Sequence, residues 1–188
     1  MPLSEQEDDA SIIGDSVGRP ERFAAIFDRH APHIQRYLAR RLGRQIADDL
    51  VAETFLVAFG KRGRYDLARP NARPWLYGIA TNLVSQHHRD EVREYRLRSA
   101  IVPDPDPVSH DDRVAARVSA QARQRELSAA LSNLAPGDRD VLLLIAWEGL
   151  SYEETAQALT IPVGTVRSRL NRARQQVRAT LPKEHVHG

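Results

Sequence analysis

No cysteine occurs in the chain, which excludes disulfides and thiolate metal sites and fits a reducing cytoplasm. No run of 18 or more apolar residues occurs either, so the expectation is a protein without direct membrane insertion. The opening stretch, MPLSEQEDDASIIGDS, is acidic and lacks the basic start and apolar core of a signal peptide. Lysine is nearly absent: of 27 basic residues only Lys61 and Lys183 are lysines, a skew that GC-rich coding alone would explain. There is no Gly-rich phosphate loop, serine elbow, paired-carboxylate arrangement, internal repeat or useful β-alternation. His87 and His88 are adjacent, so they diverge around a helix and cannot share a metal as histidines four apart can, and His185 and His187 sit in a tail. These absences predict a soluble cytoplasmic protein, not an enzyme, with no cofactor and no metal.

What is present points to helices. With 188 residues the chain suits one or two small domains, and its 41% apolar and 28% charged residues suit compact soluble units. The formal charge of +2 hides an asymmetry. Residues 1–18 carry Glu5, Glu7, Asp8, Asp9 and Asp15 with no base, whereas residues 165–178 carry five arginines with no acid. Such polarity suggests an end that binds a polyanion.

From Pro20 the apolar residues recur at helical spacing: Phe23, Ile26, Phe27, Ile34, Tyr37 and Leu38, closing near Gly43. A second helix is predicted from about Gln45 to Gly60, with Leu50, Val51, Thr54, Phe55, Ala58 and Phe59 on one stripe. The loop KRGRYDLARPNARP (61–74) leads to a third, with Trp75, Leu76, Ile79, Ala80, Leu83 and Val84 inward. Residues 1–19 read as a flexible acidic lead-in. The stretch SAIVPDPDPVSHDD (99–112) reads as a linker, with helical patterning again from about Val114 to Leu134 and over GDRDVLLLIAWEG.

Residues 151–159 form a short helix with Ser151 as N-cap and Glu154 at the capping-box position. TIPVG turns the chain, and Thr165 is placed to cap the next helix. In that helix Val166, Leu170, Ala173 and Val177 face inward, while Arg167, Ser168, Asn171, Arg172 and Gln175 face out. Two short helices, a tight turn and a basic outer face describe a helix-turn-helix that enters the DNA major groove. An ordinary solvated face usually carries compensating acids at i±4, and this one does not.

The wording LSYEETAQALTIPVGTVRSRLNRAR (150–174) resembles region 4 of bacterial sigma factors, in particular the extracytoplasmic-function group of the sigma-70 family. Thr155 departs from the isoleucine common there, which implies a locally looser core. ADDLVAETFLVAF (47–59) resembles regions 2.1–2.2, and RPWLYGIATNLVSQHHRD (73–90) resembles regions 2.3–2.4. The resemblance implies an all-α fold of two small helical domains. Region 2 would occupy 20–98, a linker 99–117, region 4 118–181 and a tail 182–188.

By the same resemblance, Asp49, Glu53 and Leu56 on the second helix would dock on the clamp helices of core RNA polymerase, with the flap as a further contact. A leucine among carboxylates suits a partner surface better than solvent, although Asp48 and Asp49 would also favour a helix N-terminus electrostatically. Thr81, Asn82, Ser85, Gln86 and Arg89, with the preceding loop, would face the single strand of the melted minus-ten element. There Asn82 would receive a flipped base, Tyr65 would stack, and Arg62, Arg64, Arg69 and Arg73 would hold phosphates. Trp75 reads as core rather than as a melting wedge. Thr165, Arg167, Ser168, Asn171 and Arg172 would read minus-thirty-five promoter DNA. An anti-sigma factor is a further implied partner. Two other classes stay open: a helix-turn-helix regulator that binds operators alone, and a helical adaptor with no nucleic-acid role.

Overall fold

A computed structural model describes residues 7–101 and 126–180, with side chains up to residue 96 and again from residue 126. The linker beyond residue 101, the predicted helical start at Val114 and the tail from residue 182 lie outside the described residues.

From residue 7 on, the acidic N-terminus is not a flexible lead-in. Asp9–Gly18 form helix α1. Asp8 caps it by accepting from the Ser11 amide at 2.7 Å, and Ile12 and Ile13 are fully buried. Two of the described acids in this segment have partners brought by later elements. Glu7 pairs with Arg22, and Asp9 with Arg29 and His30.

A 3-10 turn, Pro20–Phe23, leads into α2 (Ala24–Leu42), which ends at Gly43 with φ +84, a conformation that favours glycine. Helix α3 spans Arg44–Lys61, and a second 3-10 turn covers Arg62–Arg64. Helix α4 runs Arg73–Ile101, three residues into the stretch expected to be linker. The periodic residues bury as their spacing requires: Ile26, Ile34, Tyr37 and Leu38 meet Leu50, Val51 and Phe55, and Leu76, Ile79, Leu83 and Val84 close the core. Phe27 departs from its predicted stripe. It is 44% exposed and leans edge-on against Phe55, ring centroids 4.9 Å apart.

The second half contains a helical segment over 126–132 (α5), then α6 (Pro136–Ala146), α7 (Tyr152–Leu159) and α8 (Val163–Thr180). Val141, Ala156, Val166 and Leu170 make its own small core. It is not held by a tether alone. Leu143, Leu144, Leu150 and Ala158 join the apolar cluster of the first half. Tyr77 donates to Glu148 at 2.5 Å, Arg73 donates to the Glu148 carbonyl at 2.8 Å, and Arg41 pairs with Asp140 at 2.8 Å. Burial raises the Asp140 carboxyl above its ordinary range despite Arg41, and burial with the Glu148 bond raises the Tyr77 hydroxyl.

Candidate nucleic-acid interface

Ser151 accepts from the Glu154 amide at 3.1 Å and the Glu154 carboxylate accepts from the Ser151 amide at 2.9 Å, so the capping box starts α7 where its sequence signature falls. Thr160 then adopts a left-handed conformation, φ 54, which lets the Ile161 amide reach the Ala156 carbonyl at 3.0 Å. The chain reverses over Thr160–Pro162 and α8 begins at Val163. Thr165 therefore sits inside the first turn, not at the cap, and its amide donates to the Pro162 carbonyl at 2.9 Å.

Val166, Leu170 and Ala173 are buried and Val177 half-buried, which turns Arg167, Ser168, Asn171, Arg174 and Gln175 outward. Among the described residues neither Arg167 nor Arg174 has an ion-pair partner. Arg174, seven residues after Arg167, belongs to this face and its spacing could have placed it there. Arg172 is different. Its Nε and Nη2 donate to the two carboxylate oxygens of Asp138 at 2.5 and 2.7 Å. Asp138 is only 3% exposed, and the Arg172 hydrogen bonds hold its carboxyl below the usual range against the cost of burial. The compensating acid was absent from the helix but present 34 residues away. Arg172 thus braces α8 on α6 and is not a free reader.

On α4, Asn82, Gln86 and Arg89 are exposed at i, i+4 and i+7 and form one line. Thr81, expected on that side, is buried and shares a hydrogen bond with the Tyr37 hydroxyl at 2.9 Å. The loop before α4 also corrects several expectations. Tyr65 is buried, its ring 4.9 Å from that of Trp75 and its hydroxyl donating to the Arg69 carbonyl at 2.7 Å, and burial raises that hydroxyl to about 12. It cannot stack on a base from there. Arg62 lies over the Phe59 ring and donates to the Ser16 and Phe59 carbonyls, Arg69 pairs with Asp66, and Arg73 reaches Glu148. Arg64 alone of the four arginines stays exposed without such a partner among the described residues. Trp75 is half-buried against the core.

On α3, Asp49, Glu53 and Leu56 are exposed and again fall at i, i+4 and i+7. Leu56 is 71% exposed, and Phe27 stands out from neighbouring α2. An acidic line around a bare leucine is chemically distinct from the basic lines of α4 and α8.

Comparison with known proteins places the chain in a family. Residues 26–94 match the family model for sigma-70 region 2, and residues 124–177 match the one for sigma-70 region 4. The chain is 34% identical over 169 residues to the RNA polymerase sigma factor CarQ of Myxococcus xanthus, covering 87% of this chain and 91% of that protein. It is 31% identical over 174 residues to the ECF RNA polymerase sigma factor SigL of Mycobacterium tuberculosis, covering 92% and 96%. The chain belongs to the extracytoplasmic-function sigma factors of the sigma-70 family. The SigE sigma factor of Mycolicibacterium smegmatis is 35% identical over 180 residues, of which this sigma factor spans 65% of the length. Among solved structures, CnrH in complex with the cytosolic domain of CnrY superposes with a TM-score of 0.61 at 26% identity, covering 91% of this sigma factor and 95% of that chain. The sigma factor RpoE of Bartonella quintana, solved with the anti-sigma factor NepR, shares the fold at a TM-score of 0.64 and 24% identity, covering 86% and 98%.

Proposed function

We propose that this sigma factor binds core RNA polymerase through α3, reads minus-thirty-five duplex DNA with α8 and captures the melted minus-ten strand along α4, directing promoter-specific transcription initiation. One observation carries the reading: three exposed lines on three helices, one acidic with an apolar centre and two basic or amide-bearing, in a chain matching both sigma-70 regions. Asp49, Glu53 and Leu56 contact the clamp helices, and the 118–181 unit meets the flap. Arg167, Ser168 and Asn171, with Arg174, face base edges and phosphates, and Thr165 lies where α8 enters the groove. Asn82, Gln86, Arg89 and Arg64 face the single strand. No helix among the described residues is long and apolar enough to cross a membrane, and we place the protein in the cytoplasm with its polymerase. Two structural relatives were solved with a bound protein, the anti-sigma factor NepR in one and the cytosolic domain of CnrY in the other, and we infer an anti-sigma partner here.

Gel-shift and run-off transcription with and without core polymerase test the reading. Tight promoter binding should require core, and run-off product should appear only with it. Equal operator binding without core would mark a stand-alone regulator, and neither signal would mark an adaptor.

A further inference from the structure

Helix α1 lies outside both family-model matches, which begin at residues 26 and 124. It nevertheless meets the loop between α3 and α4 at three places. The Ser16 carbonyl accepts from Arg62 Nε at 3.2 Å. Gly14 adjoins Leu67, and a Cβ there would stand in ordinary van der Waals contact with the leucine side chain, at 3.4 Å. The Asp9 amide donates to the Pro70 carbonyl at 3.0 Å, while its carboxylate accepts from the Ala72 amide at 2.8 Å. The same carboxylate binds Arg29 at 2.5 Å and His30 Nε2 at 2.8 Å.

A carboxylate this buried is costly to desolvate and persists only when its oxygens are well supplied with donors. Burial would raise the Asp9 carboxyl, but the His30, Ala72 and Arg29 donors hold it below the ordinary range. Those donors come from α2 and from the last loop residue before α4. The group therefore ties the loop's exit to two helices at once. Inside the loop Tyr65 donates to the Arg69 carbonyl and packs on Trp75 of α4, Asp66 accepts from the Ala68 amide, and Asn71 accepts from the Arg73 amide and donates to Glu154. Those contacts hold the loop to α4 and α7, and the Asp9 group adds the tie from its exit to α1 and α2.

We propose that Asp9 is a positioning residue for minus-ten recognition: through Pro70 and Ala72 it sets where the 62–72 loop, which carries Arg64, stands at the start of the helix that carries Asn82. The inference rests on the reading that this loop and α4 face the melted strand. It makes α1 a part of the promoter reader although Asp9 itself touches no DNA. A site held a fraction of an ångström out of place loses its contacts' selectivity before it loses fold.

The test uses full-length holoenzyme transcribing a promoter library with a fixed minus-thirty-five and a randomised minus-ten element, sequencing the transcripts. Asp9→Ala should flatten the base preference by about tenfold at the affected positions, the order of one lost base contact. Core co-purification should not change, and amide exchange should rise across residues 62–72. Gly14→Leu keeps the carboxylate and presses on Leu67 from the same helix, so it should also shift the profile, which covers the case of an Asp9 variant that does not fold. Ile13→Val, a buried α1 change that leaves the loop's bonds alone, should lower the melting temperature without altering the profile. Three results overturn the proposal. An Ile13→Val profile as flat as that of Asp9→Ala reduces Asp9 to a fold element. Unchanged profiles for the Asp9 and Gly14 variants, beside a flattened one for Arg64→Ala, refute the positioning role alone. Unchanged profiles for all three remove the minus-ten reading of the loop as well.

Discussion

Replacing Gly78 by alanine separates what stabilises α4 from what joins the two halves. Gly78 sits within α4 where α7 crosses it, and a Cβ there would lie 2.4 Å from the Ala158 carbonyl oxygen. Carbon–oxygen contacts of this kind settle near ~3.3–3.6 Å, so the two backbones must part by about 1 Å. The obstacle is main chain and cannot rotate aside. Three hydrogen bonds join the halves beside it: Tyr77 to Glu148, Arg73 to the Glu148 carbonyl and Asn71 to Glu154. At ~0.5–1.5 kcal/mol each, their loss weakens the joint by about 1.5–4.5 kcal/mol. Within α4 the sign is opposite, since alanine in a helix interior is favoured over glycine by ~1 kcal/mol. Small-angle scattering should therefore show a larger radius of gyration, and calorimetry should resolve the single transition into two, the first half melting no earlier than before. An unchanged radius with one cooperative transition would refute the reasoning.

Arg167→Ala should cost the holoenzyme ~1–3 kcal/mol of promoter binding in gel-shift titrations and leave core binding intact. Arg172→Ala should instead lower the melting temperature, because Asp138 is left buried and unpaired. The depressed Asp138 carboxyl contributes stability that is full above the unfolded value of ~3.9 and fades as pH falls, so that penalty should be present at neutral pH and vanish in acid. Thr155 is fully buried with its hydroxyl unpartnered, so Thr155→Val should stabilise by ~1 kcal/mol and raise the melting temperature, read by circular dichroism. Glu53→Lys with Leu56→Ala should abolish co-purification with core polymerase at unchanged helical content; full retention would place docking elsewhere. Asn82→Ala should impair open-complex formation by permanganate footprinting, with a smaller defect on a template already unpaired at the minus-ten region, because the unstacking cost is then met beforehand.

The helices were legible because their signals are local. The stripe Leu76, Ile79, Leu83, Val84 on α4 and Val166, Leu170, Ala173 on α8 follow from 3.6 residues per turn, whatever else the chain does. The Ser151–Glu154 capping box likewise closes within four residues. The exposed lines of α3, α4 and α8 are the complements of those stripes, so Glu53, Asn82 and Arg167 could be placed from spacing. Phe27 and Thr81 mark the edge of that logic: each lies at a stripe boundary, where the position of a neighbouring helix decides exposure.

Sequence alone therefore determined the all-helical class, the helix-turn-helix and most of the outward-facing positions, though not Phe27, Tyr65 or Thr81. Tertiary structure decided which of those outward groups are free. Arg172 finds Asp138 across 34 residues, Arg73 finds Glu148 across 75, and Asp9 finds Ala72 across 63. No spacing rule reaches so far, because an ion pair depends on where two elements pack and not on their separation along the chain. α1 shows the same limit from the other side. Asp9 reads as solvated until Arg29 and His30 are brought against it, and a desolvated charge becomes structure only when the fold supplies its partners.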